Sequence, residues 1–261
     1  MEVSSMSEQL QIKNLVKRYQ DDTVLDGLNF SVMQGEVVVI VGPSGCGKST
    51  LLRCINGLEP IHSGEIRLDG TPLIWNEKKR DKMHQKIGMV FQSYDLFPHM
   101  SVLNNITLAP VKVQKRPKKE VEKEAVEWLG RVGLSEKRNV FPRQLSGGQK
   151  QRAAIVRSLC MHPEIMLFDE VTAALDPEMV HEVLDVILEL ASQGITMLIV
   201  THEMQFARTI ADRILFMEHG QIIEDTSPEV FFTSPKTQRA KDFLKTFSYE
   251  KRKTKTLTVM K

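Results

Sequence analysis

The residues with the clearest chemical potential lie in the stretch Gly42–Thr50, GPSGCGKST, which follows directly on the apolar run Val37–Val41. The spacing G-x-x-x-x-G-K-[ST] between a strand and a helix is that of a phosphate-binding loop. Gly42, Gly45 and Gly47 let successive backbone N–H groups approach a phosphate with no Cβ in the way. Pro43, Ser44 and Cys46 fill the loop between them. The helix that begins at Lys48 adds the partial positive charge of its N-terminus. Lys48 is expected to bridge β- and γ-phosphates, Ser49 to hold Mg²⁺ through its hydroxyl, and Thr50 to close the loop.

Two carboxylates stand together at Asp169-Glu170, after the apolar run Ile165–Phe168. Beside a phosphate loop, Asp169 is suited to orient Mg²⁺ through its water shell, and Glu170 to polarise an attacking water. Leu145–Gln149, LSGGQ, opens a helix with Ser146 as N-cap. Gly147 and Gly148 each cost a helix about 0.5–1 kcal/mol against Ala. They are therefore read as leaving its N-terminus bare for an anion. Gln92 and His202 also follow short apolar runs.

The elements that must position these groups come from periodicity. Leu10–Leu15 and Gly27–Val32 alternate as half-buried strands, and Gly64–Gly70 reads as another. Val37–Val41, Ile87–Phe91, Ile165–Phe168 and Thr196–Val200 are short β-branched or apolar runs of the fully buried kind. From about Val102 to Met161 the pattern turns helical, with Val121, Ala125, Trp128, Leu129 and Val132 forming one apolar stripe. Pro177–Gln193 is an amphipathic helix, Arg213–Asp225 a hairpin, and two short helices are expected around Pro228–Phe232 and Lys236–Thr246. Lys78–Lys86 is read as a polar surface helix and Ser93–His99 as a loop. Strands alternating with helices predict a parallel α/β sheet, with ligands at the carboxyl ends of its strands. The phosphate loop, Gln92, Asp169 and His202 all fall there.

With these pieces in order, the chain resembles the ATP-binding subunit of an ABC (ATP-binding cassette) transporter from about Leu10 to Asp225. The resemblance rests on Tyr19, the Walker A loop Gly42–Thr50, Gln92, the signature Leu145–Gln149, the Walker B strand Ile165–Asp169 with Glu170, the loop Ala174–Asp176, and His202. It implies a P-loop NTPase (RecA-like) core with an antiparallel β subdomain and an inserted α-helical subdomain at about 96–160. The cassette would cover 9–226, and a short helical extension with a basic tail 227–261. It also implies ATP and Mg²⁺ as ligands, with Tyr19 stacking on adenine and Ser49, Gln92 and Asp169 around the metal. Glu170, His202, Gln92 and Lys48 carry the hydrolysis. Ser146, Gly147, Gly148 and Gln149 act on nucleotide held by a second copy in a head-to-tail dimer, and Asp176 communicates across it. Read alone, Tyr19 could equally be a surface packing residue.

Phe97–Pro110 is similar to the pattern of polar amino acid uptake ATPases, and Glu170–Val186, including Leu175–Val180, and the short C-terminal extension fit the same subfamily. The implied partners are integral membrane permease subunits, docked near Gln92–Asn105, and indirectly a solute-binding protein. The implied place is the cytoplasmic side of the inner membrane, peripherally bound. Importers of other small solutes and lipoprotein-release ATPases share much of this pattern, and a mechanical ABC ATPase that signals across the membrane without moving a solute is a further alternative. ABC ATPases acting on DNA or ribosomes typically carry two cassettes or a long coiled-coil insertion. Val171 and Ala173 stand where the family usually has Pro and Ser, which bears on the shape of the loop leading to Asp176.

The bulk composition fits. The chain has 261 residues, 41% hydrophobic and 26% charged, with 35 basic against 33 acidic residues and a net charge of +2. That balance gives no support to a nucleic-acid groove. Cys46, Cys54 and Cys160 have no metal-ligand spacing and suit a reducing compartment. Cys46 could be oxidised or simply fill space. Residues 1–8 lack the basic and apolar regions of a signal peptide, and no apolar run approaches the ~20 residues of a bilayer span. The basic end from Lys251 onward reads as a tail, solvated or touching anionic lipid.

Overall fold

A hairpin begins the chain: β1 (Glu8–Tyr19) pairs antiparallel with β2 (Asp22–Met33). The computed structural model describes residues 7–73 and 80–247. Both strands outrun the alternating stretches that announce them. The register slips between Ile12 and Leu15, where Asn14 takes φ +46°, so the inward period breaks mid-strand. β3 (Val37–Val41) is buried throughout and runs into the phosphate loop and α1 (Lys48–Ile55). The chain then returns to the hairpin as β4 (Ser63–Leu68) and β5 (Thr71–Pro72), completing an antiparallel sheet in the order β2-β1-β4-β5.

α2 (Arg80–Lys86) leads into β6 (Ile87–Val90), which is buried at every position. The expected helix from Lys78 lies partly outside the described residues. Three helices follow: α3 (Val102–Lys112), α4 (Lys118–Arg131) and α5 (Gly147–Leu159). Ser101 caps α3, its hydroxyl accepting from the Asn104 N–H. Val121, Ala125 and Leu129 form the buried face of α4, one per turn, and Trp128 packs partly buried beside them. β7 (Ile165–Asp169), α6 (Pro177–Ser192) and β8 (Thr196–Val200) come next.

α7 (Met204–Ile210) has no counterpart in the sequence reading. It is two turns long, and its inward residues Phe206, Ala207 and Ile210 are separated by Arg208 and Thr209, too short a stripe to stand out. β9 (Arg213–Glu218) and β10 (Gln221–Thr226) make the expected hairpin, and α8 (Pro228–Thr233) and α9 (Gln238–Lys245) end the described chain.

The second sheet has the order β10-β9-β3-β8-β7-β6 and is parallel except for β10. Its two faces bury different partners. Val38, Ile40, Leu198 and Leu215 meet Leu51, Leu52 and Ile55 of α1, which lies between this sheet and the antiparallel one. Val39, Phe168, Ile199 and Phe216 face Ile155 and Val156 of α5 and Val183 and Ile187 of α6. Strands buried on both sides need no alternation, which is why their continuous apolar runs were legible. The expected tail from Lys251 and the N-terminal stretch 1–6 fall outside the described residues.

Candidate nucleotide site

Three carboxyl strand ends meet beside the phosphate loop. Gly42 follows β3 with φ +152°, and a Cβ there would stand 2.1 Å from the carbonyl oxygen of Met217 on the neighbouring strand β9. Only glycine lets the loop leave the sheet at this point. A Cβ at Gly45, by contrast, meets nothing within 4 Å, so the loop is open on that side. Helix α1 starts at Gly47 with no side-chain cap, leaving N–H groups of its first turn for a ligand. The buried Lys48 ammonium donates to the Gly42 and Pro43 carbonyls, both at 2.9 Å. It lies within the loop rather than in solvent.

Ser49 donates from Oγ to Asp169 Oδ1 at 2.6 Å, joining the α1 N-terminus to the end of β7. Burial pushes the Asp169 carboxyl above its ordinary range, opposed by the Ser49 hydrogen bond and by Arg53. A buried acid that resists ionisation beside a hydroxyl is the donor set a hard divalent cation stabilises. The residues therefore fit Mg²⁺, and the open loop fits a nucleotide phosphate. Among the described residues no group of three or more His, Cys, Asp or Glu forms an all-side-chain metal site.

Glu170 stands next, with φ +48°, a conformation uncommon for a residue with a Cβ. Its N–H donates to the Val200 carbonyl at 3.0 Å, anchoring the turn to β8. One carboxylate oxygen lies 3.0 Å from His202 Nε2, so two of the four residues the sequence assigns to hydrolysis are in contact. Both are partly open to solvent. Gln92 lies exposed just past β6. The carbonyl before it, that of Phe91, accepts from the fully buried Gln151 amide at 3.1 Å. Gln151 was missed in the sequence. Its signal was a polar residue on the inward face of α5, in step with Gly148 and Ile155.

Tyr19 ends β1 and is 42% exposed. Lys17 Nζ sits 4.5 Å from its ring centroid, and its hydroxyl interacts with Glu59 and Thr50. Lys17 is itself buried and paired with Glu59 at 2.8 Å. The tyrosine is thus a ring at the rim of the loop.

The signature helix is arranged otherwise than its glycines suggest. Ser146 Oγ accepts from the Gln149 N–H at 3.3 Å and Gln149 Oε1 from the Ser146 N–H at 3.1 Å, a reciprocal capping box. The Gly148 N–H donates to the Met179 thioether at 3.4 Å. A Cβ at Gly147 would come within 2.9 Å of Leu175 and 3.1 Å of the Tyr94 hydroxyl, and one at Gly148 within 3.0 Å of Met179. The expectation of a bare N-terminus is corrected. These glycines permit close packing against the loop before α6 and against its first turn. Ala173 is exposed and Val171 buried, and the turn between them closes through Ala173 N–H to Glu170 O at 3.1 Å. The contacts of Ser146–Gln149 run to Leu175, Met179 and Tyr94, none of them in the phosphate loop.

The ABC transporter family model matches residues 25–173. The chain belongs to the ABC transporter family. It is 55% identical over 235 residues to the glutamate/aspartate import ATP-binding protein GltL of Escherichia coli, covering 89% of this chain and 97% of that protein. It is 54% identical to the general L-amino acid transport ATP-binding protein AapP of Rhizobium johnstonii, covering 93% and 94%. Among solved structures it is similar to cbiO1 of Clostridium perfringens, with TM-score 0.79, 33% identity and coverage of 87% and 92%. The dimeric cassette MJ0796 bound to ADP and Pi superimposes with TM-score 0.75 at 31% identity, covering 84% and 98%. The fold is that of an ABC cassette and the activity that of its ATP-hydrolysing subunit. Among the described residues no helix is long and apolar enough to cross a membrane.

Proposed function

We propose that the chain hydrolyses ATP to drive uptake of polar amino acids through a membrane permease, working as a head-to-tail dimer at the cytoplasmic face of the membrane. The observation that carries the hydrolytic part is the convergence of two contacts beside an open phosphate loop: Ser49 on Asp169 and Glu170 on His202. The solute class is supported by relatives at 54–56% identity whose names specify import of glutamate and aspartate, or transport of L-amino acids generally or of glutamine.

In this reading the loop Gly42–Thr50 binds the phosphates by its N–H groups, and Tyr19 offers its ring to adenine. Lys48 exchanges the Gly42 and Pro43 carbonyls for β- and γ-phosphate oxygens. Ser49 and Asp169, with Gln92, would hold Mg²⁺, which would supply charge neutralisation on the phosphates. Glu170 polarises the attacking water, while His202, already paired with it, steers that carboxylate and contacts the γ-phosphate. Ser146, Gly147, Gly148 and Gln149 approach the γ-phosphate held by the partner copy, with Asp176 at the seam. For that approach the Gly148 N–H must leave Met179, and a thioether is a weak acceptor that gives it up at little cost. The cassette then comprises 9–226, with the helical part at about 96–160 offering its Gln92–Asn105 side to the permease, and 227–261 as an extension.

Reconstitution in vesicles with a polar amino acid permease and its solute-binding protein tests this. Binding protein loaded with glutamate or glutamine should stimulate ATP hydrolysis several-fold over the unloaded form. A cassette that couples to such a permease yet answers to no polar amino acid overturns the solute class.

A further inference from the structure

The β9–β10 turn grips the phosphate loop from behind. The Gly220 N–H donates to the Cys46 carbonyl at 3.2 Å, and the Gly220 carbonyl accepts from the Asp26 N–H at 3.0 Å. Gln221 Nε2 adds a bond to Asp26 Oδ2 at 3.1 Å. A Cβ at Gly220 would lie 2.5 Å from the Val24 carbonyl oxygen, so the turn is wedged between the hairpin β1–β2 and the loop. In a planar trans peptide, C=O and the following N–H point in opposite directions. Drawing the Cys46 carbonyl towards Gly220 therefore aims the Gly47 N–H the other way, into the loop.

The turn is held in its own right from the C-terminal extension. Glu218, the last residue of β9, is nearly buried and accepts from Arg239 Nε on α9. α9 is fixed to β10 independently. The buried Glu224 carboxylate accepts from the Thr237 N–H at 2.6 Å, the Thr237 hydroxyl at 2.7 Å and the Lys236 N–H at 3.2 Å. Phe243 packs on Phe216 of β9, ring centroids 5.1 Å apart.

We infer that Arg239 and Glu218 are positioning residues for ATP binding: through Gly220 they aim the Gly47 N–H, which makes the C-terminal helix a part of the nucleotide site. This rests on the proposed role of the phosphate loop. Neither side chain touches the reacting atoms, so the effect belongs in KM and not in kcat.

The test is steady-state ATP hydrolysis by the full chain and its variants, with equilibrium ADP binding alongside. Arg239→Ala and Glu218→Gln should each raise the ATP KM roughly 3–10-fold while kcat at saturation stays within about two-fold. Because both act through one pair, the double variant should be no worse than the worse single. Arg239→Lys, which keeps the charge, should recover most of the affinity. A KM unchanged while the thermal midpoint falls would mean the pair only holds α9 in place, and would overturn the inference. So would additive losses in the double variant. If the parent chain itself binds no ADP through this loop, the role of the loop is what fails.

Discussion

Two helix N-termini in this molecule begin with glycine, and they are finished in opposite ways. α1 starts at Gly47 with no side-chain cap, beside a loop that a Cβ at Gly45 could enter freely. α5 starts after Ser146 with a complete capping box and a thioether on the Gly148 N–H. The first is held open by backbone geometry, so a phosphate can enter with no competitor except the Lys48 ammonium's own carbonyl partners. The second is closed within its own chain, and an anion must displace something to reach it. On the proposed reading the difference separates two tasks: one end would bind nucleotide in a single chain, and the other would engage only when a second chain makes the exchange worthwhile.

The sharpest break would come from removing the carboxylate proposed to polarise water. Glu170→Gln should retain ATP binding, lower hydrolysis by about 10²–10⁴-fold, and accumulate an ATP-bound dimer visible by size-exclusion chromatography. Hydrolysis at the parent rate would show that Glu170 is not the base. Next come the glycines. Gly42→Ala drives a Cβ into the Met217 carbonyl and should abolish ATP binding by the isolated chain. Gly148→Ala brings its Cβ to 3.0–3.5 Å from the Met179 side chain and backbone. It should leave monomer binding of nucleotide within about two-fold while lowering the dimer-dependent rate at least about ten-fold, a kcat effect. If both variants lost monomer binding alike, the two ends would not divide the work.

A smaller effect is expected at the cap. Ser146→Ala removes one side of the capping box and should cost about 1 kcal/mol, or roughly 2–4 °C in thermal midpoint for a chain this long. No change in midpoint would mean the box contributes nothing to the resting state. Smallest are the thiols. Burial pushes Cys54 and Cys160 up to about 12, and burial also raises Cys46 despite the nearby Lys48. Native protein should therefore alkylate slowly at pH 8, with the rate still climbing above pH 9, and nucleotide should slow Cys46 further. The linkage runs the same way. A thiol that ionises near 9 unfolded but near 12 folded stabilises the native state fully below pH 9 and loses that contribution as pH rises to 12. Fast alkylation of all three at pH 8 would contradict their burial.

Much of this was legible because the relevant residues announce themselves locally. Val37–Val41 and Thr196–Val200 are strands at the boundaries their apolar runs give, since burial on both faces removes the ambiguity of alternation. Gly42 after the first run and Thr201-His202 after the second mark the strand ends where the proposed site lies. What could not be read depends on contacts between distant segments. The closure of the signature helix needs Met179, whose neighbourhood with Gly148 exists only once α5 and α6 pack. The burial of Lys17 needs Glu59 from the loop between α1 and β4, and Gln151 finds its role only against the Phe91 carbonyl. α7 owes its place to packing, with too few residues to show a period.

The order of strands has a consequence for how the molecule is made. β3, which carries the phosphate loop, lies between β8 and β9: Val38 pairs with Leu198 on one side and Arg213 on the other. A ribosome that has released β3 must still deliver most of the polypeptide before either neighbour exists. Until then an apolar strand and a glycine-rich loop have no sheet to join, the kind of exposed intermediate that invites chaperones. A chain cut short before β9 would lack the carbonyl that shapes Gly42. Nucleotide binding should therefore wait for β9, and capture of ATP by nascent chains of graded length should switch on only after β9 has emerged.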